Sequence, residues 1–218
     1  MKRTARAARA NGPSKKEHLR PYDTKSSPSG QSANADNGFA EAVTFLTTLF
    51  GDPEKAYAVA FRDLSAANWT GGHGIARLSD LIQQGADAYF TIGRIADTET
   101  RRSAAGVDLH VAVGVDDVGG KVDAQLWADL FAQGCPEPMA VVETSPSNSQ
   151  FFWRLDPPIP STDTAGVADL QHFRDLLADA GLTDAATIDV AHYFRLGAGH
   201  NSKEKHKVAN GGVAPPVR

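Results

Sequence analysis

Apolar residues recur at helical spacing in NGFAEAVTFLTTLFG, where Phe39, Val43, Phe45, Leu46, Leu49 and Phe50 form the repeat and Gly51 ends it. Short apolar runs of strand length follow in AYAVAFR, AYFTIGR, MAVVETS, QFFWRL and around AHYFRL. VDLHVAVGV is almost continuously apolar, which is how a strand covered on both faces reads. Between these runs, IARLSDLIQQG, DAQLWADLFAQG and TAGVADLQHFRDLLADAGL carry helical periodicity, with Leu170, Phe173, Leu176 and Leu177 predicted to share one face of the last. Alternating helices and strands predict an α/β fold, an α+β sandwich with a mixed central sheet and flanking helices.

Residues 1–37 are rich in Ser, Gly, Pro, Asn and Lys and show no apolar period. They read as a disordered basic tail ahead of a domain at 38–207, with a flexible Gly/Pro-containing end at 208–218. The tail holds eight Lys/Arg against three Asp/Glu, and the remainder fourteen against twenty-three. An acidic body argues against a non-specific DNA coat, whose affinity comes from a basic face, so any nucleic-acid contact has to be local. No apolar run approaches the ~20 residues of a membrane-spanning helix, and the basic N-terminus lacks the apolar core of a secretory signal. A cytoplasmic protein without membrane contact is expected, and the single Cys135 allows neither an intrachain disulfide nor a cysteine-based zinc site.

Three segments carry candidate chemistry. VGVDDVGGK runs a buried strand into Asp116 and Asp117, hard oxygen donors suited to Mg²⁺ or Mn²⁺, followed by Lys121. Strand alternation points the two carboxylates apart unless a turn has begun, and the same residues also read as a plain turn after a strand. The Gly-Lys step is not a phosphate loop, because Val115 and Val122 stand where that pattern needs Gly and Ser/Thr. VETSPSNSQFFWRL places Ser145, Asn148 and Gln150 in a polar hairpin able to hold a triphosphate or a sugar hydroxyl, or simply to face water. DVAHYFRLGAGHNSK brings Asp189, Arg195, Asn201 and Lys203 together in sequence, a basic loop able to meet phosphate. Trp69, Trp127, Phe151, Phe152 and Trp153 are candidates for base stacking or for the core; His200 and His206 are assigned no zinc.

In this order, VDDVGGKV, VETSPSNSQFFWRL and RLGAGHNSK resemble the motifs of the RepB-like primase domains of plasmids and phages, a branch of the archaeo-eukaryotic primase and primase-polymerase superfamily. The resemblance implies a metal-dependent, template-directed nucleotidyltransferase acting in DNA replication. Asp116, Asp117 and Asp189 would hold Mg²⁺ or Mn²⁺. Ser145, Asn148, Gln150, Arg195, Asn201, Lys203 and Lys121 would bind the nucleotide. Its partners would be single-stranded DNA template and nucleoside triphosphates, leaving room for a replicative helicase on a separate chain. The sequence departs from the group's pattern in having Val115 and Val118 instead of an Asp-x-Asp spacing, Gln150 in place of a histidine, Gly120 in place of Thr and Gly197 in place of Pro. A catalytically inactive DNA-binding replication module and a metal-dependent nuclease are the alternative readings.

Overall fold

The computed structural model describes residues 35–62, 72–97 and 102–203, together with Lys207 and Val217. Residues 1–34, Trp69, His206 and almost all of the C-terminal stretch lie outside the described residues. Helix α1 spans Ala35–Phe50, and Ala42, Leu46 and Leu49 on its inner face are almost fully buried. Strand β1 (Ala58–Phe61) follows, then α2 (Ile75–Gln83), whose N-terminal Ile75 N–H donates to the Glu54 carboxylate at 3.3 Å in place of a side-chain cap from Gly74. Strands β2 (Asp87–Phe90), β3 (Gly93–Ile95) and β4 (Val107–Val118) lead to α3 (Ala124–Ala132), capped by Asp123. The chain then forms β5 (Ala140–Ser145), β6 (Asn148–Pro160), α4 (Thr164–Asp179), capped by Asp163, and β7 (Phe194–Gly199).

The α/β class with flanking helices is what the structure has, but the sheet is divided in two. One sheet has the order β1-β2-β7 and the other β3-β4-β6-β5, and every pairing between these strands is antiparallel. The run AYFTIGR, read as one strand, is cut between Phe90 and Gly93. The Thr91 hydroxyl donates to the Gly93 carbonyl at 2.7 Å, and the two halves enter different sheets.

Aromatic rings fill the joint between the sheets. Phe90 of β2, Phe194 of β7 and Phe152 of β6 are fully buried, with Phe152 and Phe194 edge to face at 5.3 Å. Phe45 of α1 packs edge to face on Phe90 at 5.2 Å. A second apolar cluster lies between β4 and helices α3 and α4, built on Val113, Val115, Val118, Trp127, Leu170 and Leu177. Helix α4 is rotated from its expected setting. Leu170, Arg174 and Leu177 turn inward, while Phe173 and Leu176 are 48% and 51% exposed. No helix of the described residues is long and apolar enough to cross a membrane.

Candidate active site

Strand β4 ends in a compact turn that decides where the two acids point. Asp117 has φ 65°, so the chain has left the extended conformation there and the alternation that would separate the carboxylates is broken. The Gly120 and Val122 N–H groups donate to the Asp117 carbonyl at 2.9 and 3.1 Å, closing the loop. Gly119 (φ 86°) lies so close to the β5–β6 hairpin that a Cβ on it would sit 1.9 Å from the Ser147 carbonyl oxygen. The acidic turn and the polar hairpin are therefore packed backbone on backbone.

Both carboxylates are held on one oxygen. Asp116 Oδ1 accepts from Gln150 Nε2 at 2.9 Å and from the Asp117 N–H at 2.7 Å, while Oδ2 faces His192 Nε2 at 4.0 Å. Asp117 Oδ1 accepts from Asn148 Nδ2 at 2.6 Å, and its Oδ2 lies 3.9 Å from Lys121 Nζ. Lys121 also forms an ion pair with Asp184, which raises the lysine's pKa and holds the Asp184 carboxyl below its usual range. The backbone N–H of Asp116 donates to the Thr183 hydroxyl at 3.2 Å, tying β4 to the segment after α4. The His192 ring sits edge to face on Phe194. Burial lowers its pKa, while the negative charges of Asp116, Asp189 and Asp184 act in the opposite direction.

Asp116 thus faces the His192 imidazole across the end of β4, and the charges of Asp184 and Asp189 reach the ring from its own stretch of chain. Asp189 is exposed; its Oδ1 accepts from the Ala191 N–H at 2.9 Å, and its charge is felt by both His192 and Arg174. His192, Asp184 and Thr183 were not singled out by sequence reasoning. The only signal for them was their position within ten residues of Asp189.

Arg195 lies behind this rim and is 4% exposed. Its Nη1 donates to Asp87 Oδ1 at 2.6 Å and to the His200 carbonyl at 2.9 Å, its Nη2 donates to Asn201 Oδ1 at 2.9 Å, and its guanidinium stacks 4.8 Å from the Tyr89 ring centre. Burial pushes the Tyr89 hydroxyl up to about 12. Asn201 Nδ2 donates in turn to the Thr144 carbonyl at 2.7 Å, so Arg195 and Asn201 brace β7 against β5. Ser145 is buried at the hairpin. Lys203 is exposed, and its N–H donates to Asn201 Oδ1 at 3.4 Å. Trp127 is buried, and Phe151 and Trp153 pack against it in the α3 cluster, so these rings belong to the core.

The donor set at the rim fits a hard divalent cation. Asp116 and Asp117 each keep one carboxylate oxygen without a hydrogen-bond donor among the described residues, on side chains 23% and 19% exposed. No three His, Cys, Asp or Glu side chains among the described residues form a ready-made metal cage. Mg²⁺ is commonly held by one or two carboxylates that share the ion with water and substrate phosphates. The positions an Asp-x-Asp spacing would use, Val115 and Val118, are 0% and 3% exposed inside the α3/α4 cluster, where a carboxylate could not reach the rim.

No curated protein matches the chain in sequence. Among solved structures, the primase-polymerase (AEP) domain of cyanophage S-2L superposes with a TM-score of 0.58 at 16% identity, over 82% of this chain and 89% of that one. The catalytic domain of primase RepB′ in complex with initiator DNA superposes with a TM-score of 0.50 at 23% identity, over 83% of this chain and 82% of that one. At these identities the likeness shows a shared fold. The model of the RepB DNA-primase N-terminal domain matches residues 60–218, a span that runs from the second half of β1 through β7 and contains all three motif segments. On that match, this chain belongs to the RepB DNA-primase N-terminal domain family.

Proposed function

We propose that the chain is a primase-polymerase-type nucleotidyltransferase that joins nucleoside triphosphates on a single-stranded DNA template with Mg²⁺ or Mn²⁺. The observation that carries this reading is the pair of carboxylates at the end of β4, each anchored through one oxygen, with the other oxygen facing His192 on Asp116 and Lys121 on Asp117. The bound cation would polarise the phosphoryl oxygens and offset charge building up on the leaving pyrophosphate.

Asp116 and Asp117 would hold the cation from β4, with Asp189 adding negative charge from the segment before β7 and not acting as a direct ligand. Lys121 carries its charge at the rim, its side chain 70% exposed, and would move from Asp184 to a triphosphate. Asn148 sits where the acidic turn meets the hairpin and would orient the nucleotide, with Lys203 as a second phosphate contact, whereas Ser145, buried like Arg195, would serve the hairpin. Arg195 and Asn201 serve the framework through their buried bonds to Asp87 and Thr144 rather than meeting substrate.

Primer synthesis from labelled nucleotides on single-stranded template with Mg²⁺ or Mn²⁺ tests the proposal. Asp116→Asn and Asp117→Asn should each lower product formation on the order of a hundredfold or more at little cost in melting temperature. Synthesis that survives the combined substitution would refute the metal assignment. DNA binding without product would favour a non-catalytic module, and template degradation in the absence of nucleotides would favour a nuclease.

A further inference from the structure

We propose that Gln150 is a positioning residue that fixes the Asp116 carboxylate, and not a nucleotide contact; this rests on the role proposed above for Asp116. A glutamine amide offers an acceptor at one end and donors at the other. Here both ends are committed. The Arg195 backbone N–H donates to Gln150 Oε1 at 3.0 Å, and Gln150 Nε2 donates to Asp116 Oδ1 at 2.9 Å. The reversed amide would set its NH₂ against the Arg195 N–H and its carbonyl oxygen against a carboxylate, losing both bonds. Arg195 of β7 therefore decides that the donor end of Gln150 faces β4.

Burial makes the arrangement exclusive. Gln150 is 3% exposed, so neither end is in a position to exchange its partner for water or for a triphosphate oxygen. With Gln150 and the Asp117 N–H both on Oδ1, Oδ2 is the oxygen of Asp116 left for a cation, on the side of His192. The relay also crosses the joint between the sheets, from β7 in one to β6 and β4 in the other. The direction of the Asp116 carboxylate is thus set by how the two sheets meet. Groups that orient a ligating carboxylate from behind contribute about ten- to a hundredfold in metal affinity.

The test uses the full chain and reads Mn²⁺ binding directly by electron paramagnetic resonance, alongside the steady-state KM for nucleotide and the melting temperature. Gln150→Met, similar in length and without donor or acceptor, should weaken Mn²⁺ binding about ten- to a hundredfold and lower kcat while nucleotide KM stays within about twofold. Gln150→Asn, too short to span both partners, should behave the same way and serves if the methionine variant does not fold. Gln150→His should retain most of the Mn²⁺ affinity, because a neutral imidazole also presents one acceptor and one donor at opposite edges. Wild-type Mn²⁺ affinity in the methionine and asparagine variants, with a raised nucleotide KM, would overturn the inference and return Gln150 to the nucleotide. If Asp116→Asn itself binds Mn²⁺ as tightly as the wild type, the metal role of Asp116 fails, whatever Gln150 does.

Discussion

Two charged regions, each built from aspartates facing a basic side chain, behave in opposite ways. At the rim, Asp116, Asp117, Asp184 and Lys121 are partly open to water and form contacts that water or a ligand can replace. Behind them, Asp87 is 0% exposed, Arg195 is 4% and Asn201 is 2%, with their polar atoms satisfied inside the protein. The Ser202 N–H and hydroxyl both close on the Asp87 carboxylate, completing the inner network. In a buried pair, losing one partner strands a charge in low dielectric; at the rim, solvent takes the partner's place. Carboxylates and cations in these motif segments therefore divide into a framework and a solvent-facing edge, and burial makes the division.

The sharpest way to break this contrast is to remove one member from each region. Arg195→Ala should destabilise the fold by about 3–5 kcal/mol in urea unfolding, because Asp87 is left buried and unpaired. Lys121→Ala should leave the urea midpoint unchanged and act on nucleotide KM alone. An Arg195→Ala protein as stable as the wild type, with weakened triphosphate binding, would move Arg195 to the rim.

A smaller effect should separate two glycines of similar conformation. Gly119 and Gly134 both have positive φ, 86° and 95°, and alanine at either is strained by about 1–2 kcal/mol. At Gly134 a Cβ would meet nothing within 4 Å; at Gly119 it would meet the Ser147 carbonyl oxygen at 1.9 Å, so the hairpin has to shift. Gly119→Ala should cost more stability than Gly134→Ala and also lower primer synthesis, since Asn148 and Asp117 move apart. Equal costs for the two would mean that the acidic turn is not locked to the hairpin.

The framework was legible in the sequence wherever one apolar period covered a whole element. The repeat in α1 and the nearly unbroken VDLHVAVGV gave α1 and β4 directly, and three motif segments in order gave the family. What could not be read depended on tertiary partners. AYFTIGR looks like one strand because nothing local records that its halves join different sheets. On α4 the apolar count favoured Phe173 and Leu176 as inner residues, yet Arg174 takes the inward place beneath β4, its Nη2 donating to the Ala112 carbonyl at 3.4 Å. Burial pushes the Arg174 pKa down to about 10, with the nearby Asp189 charge opposing. His192 and Asp184 were invisible for the same reason, since their place beside Asp116 and Lys121 arises from the segment between α4 and β7 folding back onto the end of β4. Arg195 shows the converse: its type suggested phosphate, and only its burial revealed a framework role.

The smallest expected effect extends the framework-and-rim contrast to protons. His110 on β4 is 5% exposed, and its Nδ1 is buried without a hydrogen-bond partner among the described residues. Burial lowers its pKa, and the Arg174 charge lowers it further. With the folded pKa below the unfolded value of about 6.5, the unfolded chain binds more protons between the two values, so stability rises with pH across that window. It is fully present above about pH 7.5 and is lost as the pH falls through 6.5 toward the folded pKa, with a slope of at most about 1.4 kcal/mol per pH unit for one histidine. His192 is shifted in the same direction, so His110→Leu should flatten the dependence without abolishing it. Urea unfolding of wild type and variant at pH 7.5, 6.5 and 5.5 measures the difference. The same pH dependence in wild type and variant would show that His110 titrates alike in the folded and unfolded states, placing it with the solvent-accessible charges and not with the buried ones.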